Sequence, residues 1–381
     1  MKTSALLVST AMGWFGTARI PRGLAKAGFE VALLTPPNSL AEKSRYVGKV
    51  AYLPNNATPR DWLFAFATSV KATAPSIVIP CDDVAFRLLA WLALLPPGHI
   101  APELQMQLVT LIRESLGDPS HYQASVDKTL LPPVAETLGV RVPPYAIVAD
   151  LTDAEEFAVA HGYPVVLKRG HGFAGQGVVI CADRSEIARA FAGLASADAE
   201  DSLGASGGRY LIQAYVHGPI QYFHAAAWRG DLVAGWALEK LIANPAPMGP
   251  PTVTRYFRSP ALREVALTLA KSMGISGLFF AEFIVDPRSG APLLLEINRR
   301  VSPATHRGEA RNVDFCAALY AAIHGTASTS RSELGDGEEG ISVHFPQEWL
   351  RNPDSHYLGQ YPSDVPWDEP DLMEAFLAMR Q

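Results

Sequence analysis

The amino-acid sequence predicts an α/β chain that passes into an α+β one: a Rossmann-like module with a parallel sheet over residues 1–118, then antiparallel strand pairs mixed with helices. Three observations predict it. Short apolar runs alternate with amphipathic stretches in the first module, a hairpin with a long glycine-rich tip follows, and two late apolar strands carry acids. At 381 residues the chain exceeds what one core usually serves, and 48% hydrophobic with 18% charged residues suits packed modules.

Ala5 to Val8, Val31 to Leu34 and Ser76 to Pro80 read as buried parallel strands. Between them, a helix from about Thr17 to Ala27 places Ile20, Leu24 and Ala27 on one face, with Gly28 as its stop. A second starts at Thr58-Pro59, a capping residue followed by proline at the first helical position, with Leu63, Phe66, Ala67 and Val70 inward. The pattern changes at Gly117-Asp118-Pro119, where a new module opens with a helical stretch from about Ala124 to Leu138. From Tyr163 the chain reads YPVVLKRGHGFAGQGVVIC, a strand, a glycine-rich loop and a returning strand, followed by a helix of about Ser185 to Leu194. Ala195 to Arg209 reads as a surface connection before a strand at Tyr210 to Gln213.

Strands near Gln221 to Trp228 and Leu232 to Leu238 precede a proline-rich loop, Asn244 to Pro251. Ser259-Pro260 then caps a helix ended by Gly274, and strands Leu278 to Val285 and Pro292 to Asn298 follow, joined by a turn at 286–290. After Gly325 a polar stretch leads to a short strand at Ile341 to Phe345 and an irregular tail, read as an appendage of residues 327–381.

Net charge of −6 and the lack of a lysine-arginine tract give no footprint for nucleic acid. Cys81, Cys181 and Cys316 lie far apart and pair with nothing in zinc-type spacing, so they read as packing residues. Lys2 precedes only a short apolar run that breaks at Ser9-Thr10, and the run Val84 to Leu95 falls short of the ~20 residues that span a bilayer. A cytoplasmic protein without a membrane partner is the expectation.

The residues that carry chemistry sit in the late strands GLFFAEFIVDPRSGAPLLLEINRR. In a strand, i and i+2 share a face, so Glu296 and Asn298 project together while Leu295 and Ile297 face away, and Glu282 joins them from the neighbouring strand. Two carboxylates and an amide oxygen among apolar strands repel and desolvate one another unless a divalent cation relieves them. Magnesium favours such ligands. The two acids alone would equally suit a solvated sheet face. The hairpin adds Lys168 on its first strand and Gly170, Gly172, Gly175 and Gly177 about its tip, a pattern in which backbone amides approach phosphate and a lysine neutralises it. It matches neither the P-loop nor the dinucleotide-binding spacing.

Together these elements resemble the ATP-grasp superfamily, in the branch similar to carbamoyl-phosphate synthase large subunits and D-alanine:D-alanine ligase, over about Asp127 to His306. The resemblance implies a two-lobed ATP-grasp domain at 119–326, with a lid lobe of about 143–212 and a metal lobe of about 213–326. It implies Lys128 and Lys168 as the ATP lysines and GHGFAGQGV as a flexible lid over the triphosphate. Gln213, Ala214, Tyr215 and Val216 resemble the hinge that reads the adenine edge, and Gln221 stands near where relatives place a ribose-binding glutamate. Glu282, Glu296 and Asn298 match the ligands of Mg2+, for which Mn2+ would serve, and Arg300 matches the arginine that contacts phosphate or the acyl group. Lys240 is a further candidate phosphate contact. Asn298-Arg299-Arg300 replaces the common Asn-Pro-Arg, while every metal and lysine position is kept, which speaks for a working enzyme.

The implied activity is a ligase that activates a small carboxylate as an acyl phosphate and joins it to an amine or thiol, with ATP and Mg2+ as cofactors and a homodimer as the common assembly. Two other readings share the site: a small-molecule phosphotransferase and a non-catalytic ATP-binding regulatory protein. For the substrates, Arg19 in the first loop region is a candidate carboxylate contact, although a surface arginine is the stronger reading. Cys81-Asp82-Asp83, His306 and Arg307 are candidate substrate-side residues.

Overall fold

The computed structural model describes residues 3–54, 56–172, 175, 177–200 and 208–380. The first module begins with β1 (Ser4–Val8), α1 (Phe15–Ala27), β2 (Glu30–Thr35) and β3 (Val47–Tyr52), and continues with α2 (Pro59–Thr73), β4 (Ile77–Pro80), α3 (Asp83–Leu94) and α4 (Pro102–Leu116). Its sheet has the order β3-β2-β1-β4, all neighbours parallel. Parallel strands are buried on both faces by their crossover helices, which is why β1 and β4 are unbroken apolar runs. Gly28 stops α1 with φ of 111°, and Thr58 with Asp61 forms a full capping box on α2. β3 escaped sequence reading because it is an edge strand whose mixed side chains are largely exposed.

A short α5 (Leu131–Thr137) follows two single turns of 3-10 helix, in place of the longer helix expected from Ala124. Pro132 and Pro133 suit only the first turn of a helix, so the helix starts there. β5 (Tyr145–Val148), α6 (Leu151–His161), β6 (Val165–Arg169), β7 (Val178–Cys181), α7 (Arg184–Glu200) and β8 (Tyr210–Ala214) form a second unit, with sheet order β5-β8-β6-β7. β6 and β7 are the expected hairpin. α7 extends to Glu200, so the connection expected from Ala195 is partly helix, and residues 201–207 of it lie outside the described residues.

The third unit holds β9 (Ile220–Trp228), β10 (Asp231–Ala243), β11 (Pro251–Phe257), α8 (Pro260–Ser272), β12 (Gly277–Val285), β13 (Pro292–Asn298), α9 (Phe315–His324) and β14 (Gly340–Val343). Its six-stranded antiparallel sheet runs β13-β12-β9-β10-β11-β14. One face packs Phe223, Ala237, Phe283 and Ile297 against Leu262, Ala266 and Leu269 of α8. Tyr222, Trp236 and Phe280 share the opposite side's core with residues of α1 and α9.

The tail is not an irregular appendage. β14 pairs with β11, and α10 (Gln347–Arg351), α11 (His356–Gln360) and α12 (Pro370–Ala378) follow, with Leu372 and Phe376 buried against Ala18. Asp364 fastens it. Its carboxylate accepts from His306 Nε2 at 2.6 Å and from the Phe345 N–H at 2.7 Å, and pairs with Arg307 at 2.6 Å. Burial opposes that charge, but Arg307 and His306 hold the Asp364 carboxyl well below the usual range. Removing one partner of a buried pair strands the other, so Asp364→Asn is expected to cost about 3–5 kcal/mol, read from the denaturant midpoint at constant m-value.

Candidate functional site

Strand register builds the site as three rows on one face of the large sheet. Ile220 faces Ile284; Tyr222 faces Glu282, which faces Glu296; His224 faces Phe280, which faces Asn298. Successive rows on one face lie about 7 Å apart, two residues of strand rise. The apolar row, the carboxylate row and the imidazole row therefore follow one another in that order. A bulge between Glu282 and Phe283 leaves Leu295 as an extra residue in β13. Leu295 consequently joins the cavity wall, against the strict alternation expected of it, while Ile297 faces the core as expected.

The opposite wall comes from the hairpin and β8. Val166, Lys168, Val178, Ile180 and Gln213 line a cavity of about 360 Å3 with the three rows. Lys128 Nζ donates to the Gly172 carbonyl at 2.6 Å and lies 3.4 Å from Glu296 Oε1, and its N–H bonds the Gly170 carbonyl at 2.8 Å. Gly170 and Gly172 are thus tied to Lys128. Gly175, with φ of 82°, meets the proline-rich loop: a Cβ there would stand 3.1 Å from Met248, and Met248 and Gly249 complete the wall. Phe173, Ala174 and Gln176 of the expected lid lie outside the described residues.

Electrostatics single out the middle row. Burial raises the Glu282 carboxyl above its ordinary value, with Lys240 opposing and Glu296 reinforcing. Burial pushes the Lys168 ammonium down to about 8, against the pull of Glu296, with Lys128 lowering it further. Three lysines and two carboxylates share one buried space. Such crowding gives little stability and marks a site that binds charge.

Arg300 closes the inner end. Its guanidinium lies 5.2 Å over both Trp14 and Phe280, pairs with Asp83 at 2.8 Å, and donates to Asn298 Oδ1 and the Val301 carbonyl at 3.3 Å each. Burial alone would lower its pKa, but Asp83 more than offsets that and raises it. The neighbouring Asp82 accepts from Ser9 Oγ at 2.9 Å, the Thr10 N–H at 2.6 Å and Thr10 Oγ1 at 2.8 Å, which pins the loop leading to Trp14. Of the acidic pair after β4, Asp82 therefore shapes the loop and Asp83 holds Arg300.

Residues 127–222 match the family model described as carbamoyl-phosphate synthase L chain, ATP binding domain. The chain has the ATP-grasp fold. Over 192 residues it is 28% identical to the carbamoyl phosphate synthase large chain of Rubrobacter xylanophilus, a match covering 47% of this chain and 17% of that relative. The match therefore spans well under a fifth of the curated relative's length. Among solved structures, the biotin carboxylase domain of Hydrogenobacter thermophilus 2-oxoglutarate carboxylase, a dimer in complex with MgADP, ADP and bicarbonate, aligns with a TM-score of 0.66. That alignment has 18% identity and covers 90% of this chain and 74% of that one. An L-amino acid ligase from Bacillus licheniformis aligns with a TM-score of 0.60 and 15% identity, covering 85% and 75%.

On this ATP-grasp frame most of the expected residues converge. Lys128, Lys168, Lys240, Glu282, Glu296, Asn298, Arg300, Gly172, Gly175, Gln213, Ala214, Tyr215 and Val216 all line the one cavity. Gln213 is 2% exposed and neither of its amide atoms has a partner among the described residues. The Ala214 and Tyr215 N–H groups already bond Pro144 and Pro164 within the fold.

Four expectations are corrected. Gln221 points away from the cavity, because it alternates with Ile220 and Tyr222, and donates to Glu239 at 2.9 Å. Gly177 belongs to the hairpin's own closure, its carbonyl accepting the Arg169 N–H at 2.8 Å. His306 and Arg307 bind Asp364 and leave the site to Ser302, Pro303 and Ala304. Arg19 is buried, not a surface residue, and donates to the Asp364 carbonyl at 2.5 Å. His224 and Trp14 were missed as site residues. The alternation of β9 marks His224 as facing with Tyr222, but only the pairing of β9 with β12 shows what it faces.

Proposed function

We propose that the chain is an ATP-dependent ligase that activates a small carboxylate as an acyl phosphate and joins it to an amine or thiol, releasing ADP and phosphate. The observation that carries this reading is the middle row, in which Glu282 and Glu296 stand directly opposed with Lys128, Lys168 and Lys240 around them. The apolar row with Val166, Ile180 and Leu295 suits a flat base, and the unpartnered Gln213 amide suits its edge.

Two carboxylates and the Asn298 amide oxygen form a hard, oxygen-only donor set, which fits Mg2+ with phosphate oxygens completing its shell. Held there, the ion would supply neutralisation of phosphate charge. The side chains account for the rest. Lys128 and Lys168 bind the phosphates, and Arg300 orients the acid. A carboxylate oxygen of the acid bonds the γ-phosphorus as the β,γ-bridging P–O bond breaks, its electron pair leaving with ADP. The amine nitrogen then bonds the acyl carbon, phosphate departs and the amine loses a proton. Gly172, bonded to Lys128, and Gly175, against the Met248 loop, help keep water from the labile intermediate. We place the reaction in the cytoplasm, with a homodimer as the assembly; no helix among the described residues is long and apolar enough to cross a membrane.

Screening small acids with Mg·ATP and hydroxylamine tests the reading, with ADP and a hydroxamate expected to form together and only with an acid present. A stable phosphorylated product would make it a phosphotransferase, and tight binding without turnover a binding protein. Because burial holds Lys168 near 8, nucleotide affinity carries a pH signature. Charged Lys168 binds phosphate, and its proton is lost as pH rises through 8. The apparent Kd for Mg·ADP is expected to be flat below pH 7 and to rise toward tenfold per unit above 8, measured calorimetrically, with no such rise in Lys168→Met.

A further inference from the structure

His224 lies one row beyond the carboxylates, on the side away from the apolar row, where an acid attacking the γ-phosphoryl group would stand. Its ring stacks on Phe280 at 4.9 Å and 10°, and its Nδ1 lies 3.0 Å from Ser302 Oγ. The hydrogen bonds at Ser302 point to one tautomer. Ser302 Oγ accepts from the Ala304 N–H at 3.1 Å and from Thr305 Oγ1 at 3.2 Å, while Thr305 Oγ1 in turn accepts the Ser302 N–H at 2.8 Å. With Thr305 donating, both acceptor positions are filled and the hydroxyl proton of Ser302 goes to His224 Nδ1, the arrangement that leaves the imidazole proton on Nε2. His224 lines the cavity, and no other hydrogen bond of its ring is found among the described residues. The Ser302 turn is itself fixed by α1, since a Cβ on Gly16 would come within 2.8 Å of the Ser302 backbone.

We propose that His224 Nε2–H, together with the unused N–H groups of Arg300, is the seat for the planar carboxylate of the acyl substrate, whether an organic acid or bicarbonate. The inference rests on the ligase reading and names a residue for its first substrate. Both groups only donate, so the seat favours an acceptor-only oxyacid over an amide or an amine. A carboxylate nucleophile has no proton to give up, so a base is not needed there. Burial and Arg300 hold the imidazole down at about 3, which keeps it a neutral donor.

The test uses the full chain with 15N-labelled histidine. Long-range 1H–15N spectra are expected to show His224 as the neutral Nε2–H tautomer from pH 5 to 8, and its Nε2–H signal to move when acetate or bicarbonate joins saturating Mg·ADP. The probe that moves it identifies the source of the carboxylate. A Nδ1–H tautomer, titration within that range, or a signal unmoved by both probes overturns the inference while leaving nucleotide binding standing. Failure of Mg·ADP to change any spectrum overturns the ligase reading and this inference with it. In the hydroxamate assay, His224→Phe is expected to raise KM for the acid by about 10- to 100-fold with KM for ATP unchanged, and His224→Gln, which keeps a donor, to recover part of that. An equal rise in both constants would mark a merely structural role.

Discussion

Lys168→Ala is expected to abolish measurable ADP formation, a loss of at least about 10²-fold in turnover, with the fold intact. Lys168 is 8% exposed and sits on β6 at the base of the glycine hairpin, opposite Glu296 across the cavity. Its burial disfavours the charge it carries, so the folded chain gains no stability from it. A residue that is unfavourable to bury yet lines the site is explained by what it binds. The thermal midpoint of the variant is therefore expected to equal or exceed that of the parent. A large fall in the midpoint would recast Lys168 as a structural residue, and turnover within a few-fold of the parent would remove it from the site.

Glu296→Gln is expected to have an effect of similar size through a different cause. The amide keeps the shape and loses the charge, so the set of Glu282, Glu296 and Asn298 binds Mg2+ more weakly. Turnover is expected to fall by about 10²–10³-fold, with part recovered at high Mg2+ or with Mn2+. Lys128, 3.4 Å from Glu296, loses its carboxylate partner at the same time and keeps the Gly172 carbonyl. A drop that is independent of metal concentration would locate the effect in Lys128 instead, and the Lys128→Met variant separates the two.

Much of this site was legible because its signals are local. Alternation around EIN put Glu296 and Asn298 on one face, and the lysine and glycines of the hairpin stand within ten residues of each other. The caps of α2 and α8 were legible for the same reason, since Thr58-Pro59 and Ser259-Pro260 announce themselves in adjacent residues. What escaped depends on pairings the sequence does not contain. The bulge at Leu295 is a property of two strands in register, and the bond from Ser302 to His224 joins residues 78 apart in sequence. β5 was missed because YAIV is only four residues long at a sheet edge, and β11 because PTVTRYF opens on proline and mixes polar and apolar residues. The tail was misjudged because its anchors are long-range: β14 pairs with β11, Leu372 and Phe376 pack on Ala18, and Asp364 takes partners from the segments around residues 306 and 345.

The departure at Arg299 has a structural reading. In place of the proline of the Asn-Pro-Arg pattern, a buried guanidinium lies 5.4 Å over Phe86 and 5.2 Å over Tyr122, with no hydrogen-bond partner for its nitrogens among the described residues. Burial lowers its pKa to about 10, so it stays charged. Its contact with Phe86 joins the residue after β13 to α3 of the first module.

The central claim is that Glu282, Glu296 and Lys168 form one site for a magnesium nucleotide. Calorimetric titration of the full chain with a non-hydrolysable ATP analogue, with and without Mg2+, tests it most directly. Binding that needs Mg2+ in the parent, is lost in Glu296→Gln and is weakened in Lys168→Ala is the predicted result. Binding of equal strength with and without the metal, or unchanged in both variants, would contradict it.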